Sequence, residues 1–214
     1  MKFLELASHI ISIVLHPLFM AVYGVSLLFV LTDMHVSMGT YFWFILPVFI
    51  LSCLMPANGI FLMRRFNLIT DYSLSNKKER FGPFIITFVS YAFLLLFYYY
   101  RTNVSFWFIG TLTVPLALLI VASVINIWWK ISTHMISAGG LIGCILSIAY
   151  MVKGANPYWL FIVLFLLAGC LGTARLILKR HTPAQVYTGF CLGLIVSYFC
   201  IYYSIKITIF KLIF

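Results

Sequence analysis

Seven runs of apolar residues, each near the length of a bilayer-spanning helix, take up most of the chain. They fall at roughly 10–32, 41–63, 84–100, 105–127, 136–152, 157–178 and 185–209, and crossing the hydrocarbon core takes about 20 residues of helix. The runs are continuous, whereas the strands of a membrane barrel alternate apolar and polar residues. A mean hydropathy of +1.12 with 8% charged residues excludes an ordinary soluble domain. The predicted fold class is therefore all-α, a polytopic transmembrane helical bundle of six to seven spans, the third run being short enough to form half of a hairpin. Apart from 64–83 the connections are short, so the 214 residues are read as a single integral membrane domain, 1–214.

The N-terminal run is interrupted by Glu5, His9 and His16 and is followed by no small-residue cleavage site, which predicts a retained helix and not a removed signal. Glu5, His9, Ser12 and His16 recur at spacings of four, three and four and end at His16-Pro17, so they share one helix face. Such a stripe normally faces the bundle interior and hydrogen-bonds to other helices. The alternative is a wall of a head-group entrance. The five cysteines lie inside apolar runs, as packing residues do, and no metal site is read from them.

Fourteen Lys and Arg stand against four acids. Counting loops by parity puts ten of the fourteen on one side of the membrane, and Arg101, Lys153, Lys206 and Lys211 on the other. The positive-inside rule would place the richer side in the cytoplasm. Convergence on an anionic ligand explains the same residues. Setting aside Lys77, Lys78, Arg80, Lys130 and Arg175 for such a site leaves five cations against four, and the orientation stays open.

Three polar clusters share that side, because even numbers of spans separate them. The first, Asp71 to Phe84, holds Lys77, Lys78 and Arg80 and ends in a turn expected at Gly82-Pro83 before a helix. In the second, Trp128, Trp129 and Lys130 precede Ser132, Thr133 and His134 at a helix start, where orphan N–H groups favour an anion. In the third, Thr182-Pro183-Ala184-Gln185 reads as a capping box with proline at N1, holding His181 just before the helix. A turn at Lys179–His181 would bring Arg175 and His181 to one pocket. Gly139 and Gly143, and Gly189 and Gly193, give two small-residue faces for close helix packing. Cations to neutralise phosphoryl oxygens, one histidine to attack and one to protonate a leaving group form the set that phosphate chemistry requires.

The stretch Arg175-x5-His181-x3-Gln185-Val186-x2-Gly189-x3-Gly193 resembles the third signature of the type 2 phosphatidic acid phosphatase (PAP2) superfamily, which reads Ser-Arg, five residues, His, three residues, Asp. Residues 132–140, with His134, look like the second signature, Pro-Ser-Gly-His, and Lys77 to Pro83 like a loosened first. The resemblance covers about 70–195, a PAP2-like core preceded by two N-terminal spans. It implies His181 as the nucleophile that forms a phosphohistidine, His134 as the proton donor, and Arg175, Arg80 and Lys77 or Lys78 as phosphate holders, with Lys130 beside them and Gln185 orienting His181. It implies no metal and no cofactor. The partner is a membrane lipid with a phosphate or diphosphate head, and no nucleic acid is called for. The location implied is a cell (inner) membrane with the site on the periplasmic face.

The chain departs from the family at Ala174, at Ile131-Ser132-Thr133, at Phe81-Gly82 and, with most consequence, at Gln185. A glutamine fixes a histidine tautomer but brings no charge. Two functions follow: a lipid phosphatase or phosphotransferase, or a catalytically silent relative that binds anionic lipid head-groups. A transporter is disfavoured, since the acids stand at span ends or in loops.

Overall fold

In surroundings without water, backbone N–H and C=O groups must bond within the chain, and every regular element among the described residues is helical. The computed structural model describes residues 2–31, 37–72, 74, 77–101, 106–153 and 157–213. Among these, the helices are α1 (Lys2–Val14), α2 (Met20–Leu31), α3 (Met38–Phe49), α4 (Met55–Arg65), α5 (Phe81–Arg101), α6 (Phe106–Trp128), α7 (Thr133–Ile148), α8 (Tyr158–Ile177) and α9 (Pro183–Ile213). Short 3-10 turns at Pro17–Phe19 and Lys77–Arg80, and π-helical turns at Ile50–Leu54 and Ala149–Lys153, join or extend them. Seven segments among the described residues are long and apolar enough to cross a membrane: α1 with α2, α3 with α4, and α5 to α9 singly. The chain is a multi-pass helical membrane protein.

Prolines set the departures from straight spans. Pro17 holds His16 extended at φ −70° and ψ 142°, the preference of any residue before proline. The first span, which begins at Lys2 and not at residue 10, is therefore broken in two. Pro47 lies inside α3, where it removes one N–H from the ladder, and a π-helical turn at Ile50–Leu54 follows it. At Pro83 the effect reverses. The turn expected at Gly82-Pro83 is part of α5, because a proline in the first turn removes an N–H with no helical partner to lose. The third span is thus a full crossing, Lys78–Arg101.

Around α7 the bundle is densest. In its span 67% of residues are buried, against 22–39% in the other six. It packs on α9 above all, and on α6, α2 and α8. A Cβ on Gly139 would stand 2.1 Å from the Phe190 carbonyl oxygen, one on Gly143 2.2 Å from that of Leu194, and one on Gly193 2.1 Å from that of Ile136. No side chain fits where backbones meet so closely. The matched order of these contacts makes α7 and α9 parallel, both starting at the same end. Apolar side chains such as Phe93, Leu166 and Phe199 remain exposed, the surface a bilayer would cover.

Of the polar stripe on the first span, Ser12 is buried and His16 half-buried, while Glu5 and His9 are exposed. The expectation that the whole stripe turns inward fails because α1 packs chiefly on α8, which covers one narrow face.

Candidate active site

Arg175 and His181 are six residues apart, and a helix alone would point them to different sides. The chain reverses between them instead. Lys179 takes a left-handed conformation (φ 50°), Lys179 N–H donates to the Leu176 carbonyl at 2.9 Å, and Arg180 N–H donates to that of Arg175 at 3.2 Å. This is a Schellman motif with lysine where glycine is usual. It closes α8 and delivers Arg180 and His181 to the start of α9.

The capping box then fixes His181. Gln185 N–H donates to Thr182 Oγ1 at 3.4 Å, and Thr182 N–H donates to Gln185 Oε1 at 3.1 Å. The same oxygen lies 3.1 Å from His181 Nδ1. A carbonyl oxygen only accepts, so Nδ1 carries the proton and Nε2 keeps a free lone pair. His181 is only 8% exposed. Burial lowers its pKa to about 4, the Gln185 hydrogen bond opposing and the charges of Arg175, Arg80 and Lys130 adding to the effect. At neutral pH the ring is an uncharged base among cations.

Arg80, 5% exposed, reaches the site from the 3-10 turn before α5. Its Nε donates to the Leu74 carbonyl and one terminal nitrogen to the Ile131 carbonyl, both at 3.1 Å. These bonds tie the loop before α5 to the connection before α7 and, among the described residues, take up two of the five guanidinium N–H donors. Lys130 is half-buried. Burial lowers its pKa, as do Arg80, Arg180 and Arg175, while Asp71 opposes them. Glu79 accepts from the Thr70 backbone and hydroxyl at 2.7 to 3.1 Å.

His134 lies in the first turn of α7, behind Ser132 as N-cap. Its ring meets that of His16 edge to face, with centroids 5.1 Å apart. Arg175 donates to Ser12 Oγ at 3.4 Å, and its Nε is buried with no hydrogen-bond partner among the described residues.

One cavity of about 470 Å³ joins these groups. His134, His181, Arg175 and Arg80 line it together, with His16, Ser12 and Arg180. Below this polar end its wall is mainly apolar, including Ala21, Val25, Leu28, Phe84, Leu112, Leu118 and Cys144. Along α7 the lining runs from His134 to Cys144, ten residues or roughly 15 Å at 1.5 Å each. That is about half of a 30 Å hydrocarbon core. Lys130 is outside the lining, though its charge acts on His181. Gln185 acts through His181 and does not line the cavity. Lys78 is exposed and away from it, and the side chain of Lys77 lies outside the described residues. Arg180 was not assigned to a site from the sequence, and His16 entered only through the alternative reading of its stripe as a wall of a head-group entrance. A His-Pro break inside an apolar run was the signal available for His16. Among the described residues no group of three His, Cys, Asp or Glu is placed to hold a metal ion.

Residues 127–209 match the model of the PAP2 superfamily. No curated protein and no solved structure gives a match. The matched segment, under half of the chain, includes His134, Arg175, His181 and Gln185; that segment is similar to the PAP2 superfamily, and the seven apolar helices around it are those of a membrane protein.

Proposed function

We propose that the protein is a lipid phosphatase or phosphotransferase that removes phosphate from a lipid phosphate or polyprenyl diphosphate through a phosphohistidine. One observation carries this reading: an uncharged, tautomer-fixed His181 shares a cavity with His134, Arg175 and Arg80. His181 Nε2 attacks phosphorus while the bond to the leaving oxygen breaks, and His134 gives that oxygen its proton. Water then attacks the phosphohistidine, His134 takes a proton from it, and the P–N bond breaks to release inorganic phosphate. Arg175 and Arg80 hold the phosphoryl oxygens, with Lys130 adding positive charge. The apolar lower wall suits the tail. The whole chain acts as one membrane domain, with a PAP2-like core at about 70–195, and family resemblance favours the outer face of an inner membrane for the polar mouth.

A second reading rests on Gln185. Its carbonyl is shared between Thr182 and His181 and, being neutral, adds no stabilisation to a cationic ring. A site like this can hold anionic head-groups without turnover. Purified protein in nanodiscs, offered a panel of lipid phosphates and diphosphates with a chelator present, separates the two. The phosphatase reading expects inorganic phosphate from the unaltered protein and none from His181→Ala or His134→Ala. Release that survives His181→Ala overturns it, and saturable lipid binding without any release favours the silent binder.

A further inference from the structure

The first apolar run breaks where an unbroken helix would have been the simplest way through a membrane. Irregular backbone at that depth is tolerated only where protein or a water-lined cavity satisfies its polar groups. The break at His16–Phe19 meets that condition on both sides of Leu18. Leu18 N–H donates to His16 Nδ1 at 3.3 Å. The Leu18 carbonyl accepts from Cys53 Sγ at 2.9 Å and from Ser52 Oγ at 3.3 Å, both in the π-helical turn of the second span. Tyr23 Oη donates to the Val14 carbonyl at 2.8 Å, closing the end of α1. Two irregular turns of different spans are therefore bolted together at Leu18, whose N–H is held by His16.

Its surroundings give that residue a definite chemical form. Nδ1 is used as an acceptor, so the neutral ring carries its proton on Nε2. The ring lines the cavity and stands edge to face with His134 at 5.1 Å. One turn earlier, Ser12 accepts from Arg175 and its backbone hydrogen-bonds the His134 ring. Neither Ser12 nor His16 lies in the segment that matches the family model, 127–209. The charged and titratable groups acting on His134 are Arg175 from α8, His16 from the broken span and His181 before α9. His16 is the one of these whose tautomer the backbone fixes independently of any ligand.

We propose that His16 is a positioning residue, held by the break in the first span, that sets the orientation of the His134 ring for proton transfer to the leaving oxygen. This rests on the phosphatase reading for its catalytic consequence, but not for the ring arrangement itself. The broken span is thus a working wall of the site and more than a packing helix.

His16→Asn is the informative variant, because asparagine caps as well as any residue and can accept from Leu18 N–H while lacking the imidazole. Its melting temperature in detergent should match the unaltered protein, where His16→Ala, which loses the cap too, melts lower. On a lipid phosphate kcat should fall by about 10- to 100-fold, within the range a general acid contributes, with KM changed by less than about twofold. In kcat/KM, which reports only the steps up to leaving-group departure and not the later water attack, the loss should nearly vanish on 4-nitrophenyl phosphate, whose leaving group departs without a proton. Equal losses in kcat/KM on the two substrates, or none on either, overturn the proposal. Histidine-selective ¹⁵N NMR supplies an arm that needs no turnover. It should show His16 as the Nε2–H tautomer, and the His134 ring signals and their titration should move in His16→Asn. Unmoved His134 signals overturn the proposal even where phosphate release is normal. Failure of the unaltered protein to release phosphate strikes the phosphatase reading and leaves the NMR result to decide this one.

Discussion

Gln185→Glu changes one charge and almost no shape. The new side chain has the same length, keeps the N3 role in the capping box, for which Glu is the usual residue, and places a carboxylate oxygen where Oε1 now lies, 3.1 Å from His181 Nδ1. Two unit charges about 4 Å apart interact by ~4 kcal/mol at an effective dielectric of about 20, which is about three pH units at 1.36 kcal/mol each. Arg175, Arg80 and Lys130 compete for the carboxylate, so a rise of about one to three units in the His181 pKa is expected. The sign is fixed by the role. Attack needs the neutral ring, so activity falls as pH drops through the His181 pKa, near 4 in the unaltered protein. In Gln185→Glu that acid limb should appear between about pH 5 and 7. Above it the rate should rise, by at most the ~10⁴ that a buried carboxylate partner supplies to a serine protease histidine. The assay is a pH profile of kcat/KM for phosphate release in nanodiscs, with melting curves to show that both proteins stay folded across the range. A limb still near pH 4 in a folded Gln185→Glu refutes the assignment of His181 as the attacking base under Gln185 control.

Three further outcomes follow from packing and cavity shape. Gly193→Ala would set a methyl 2.1 Å from the Ile136 carbonyl oxygen, forcing α7 and α9 apart at a cost of about 1–3 kcal/mol; a lowered melting temperature in detergent checks it. Lys179→Gly relieves a left-handed lysine and should stabilise by roughly 1 kcal/mol, read as a raised melting temperature with phosphate release unchanged. Leu118→Trp fills the apolar part of the cavity and should shift preference toward short-tailed lipid phosphates, measured as kcat/KM against tail length. Equal loss on short and long tails would show that the tail lies elsewhere.

The sequence carried the helices and the capping of His181 because both depend on local pattern: long apolar runs, and the Thr182-to-Gln185 box that the hydrogen bonds reproduce. The small-residue faces at Gly139, Gly143 and Gly193 were legible for the same reason, since a spacing of four marks one side of a helix. What local pattern could not give was which cation in a run of them turns inward. Lys78 and Arg80 stand two apart, yet Arg80 is buried across the Leu74 and Ile131 carbonyls and Lys78 is exposed. Those carbonyls come from distant segments, and nothing near residue 80 announces them. For His16 the sequence offered a polar stripe but not the residues that hold it. Its partners are Leu18 beside it, whose carbonyl is held by Ser52 and Cys53 of another span, and His134 in a third, and these meet only in the assembled bundle.

Whether the His181 ring takes the phosphoryl group can be read from the protein itself. The protein would be mixed with an aryl phosphate and quenched with alkali, and its peptides sequenced by mass spectrometry. The mechanism predicts phosphate on His181, more of it in His134→Ala, where water attack on the phosphohistidine is slowed, and none in His181→Ala. Phosphate released from substrate at full rate with His181 unmodified at every quench time would contradict it.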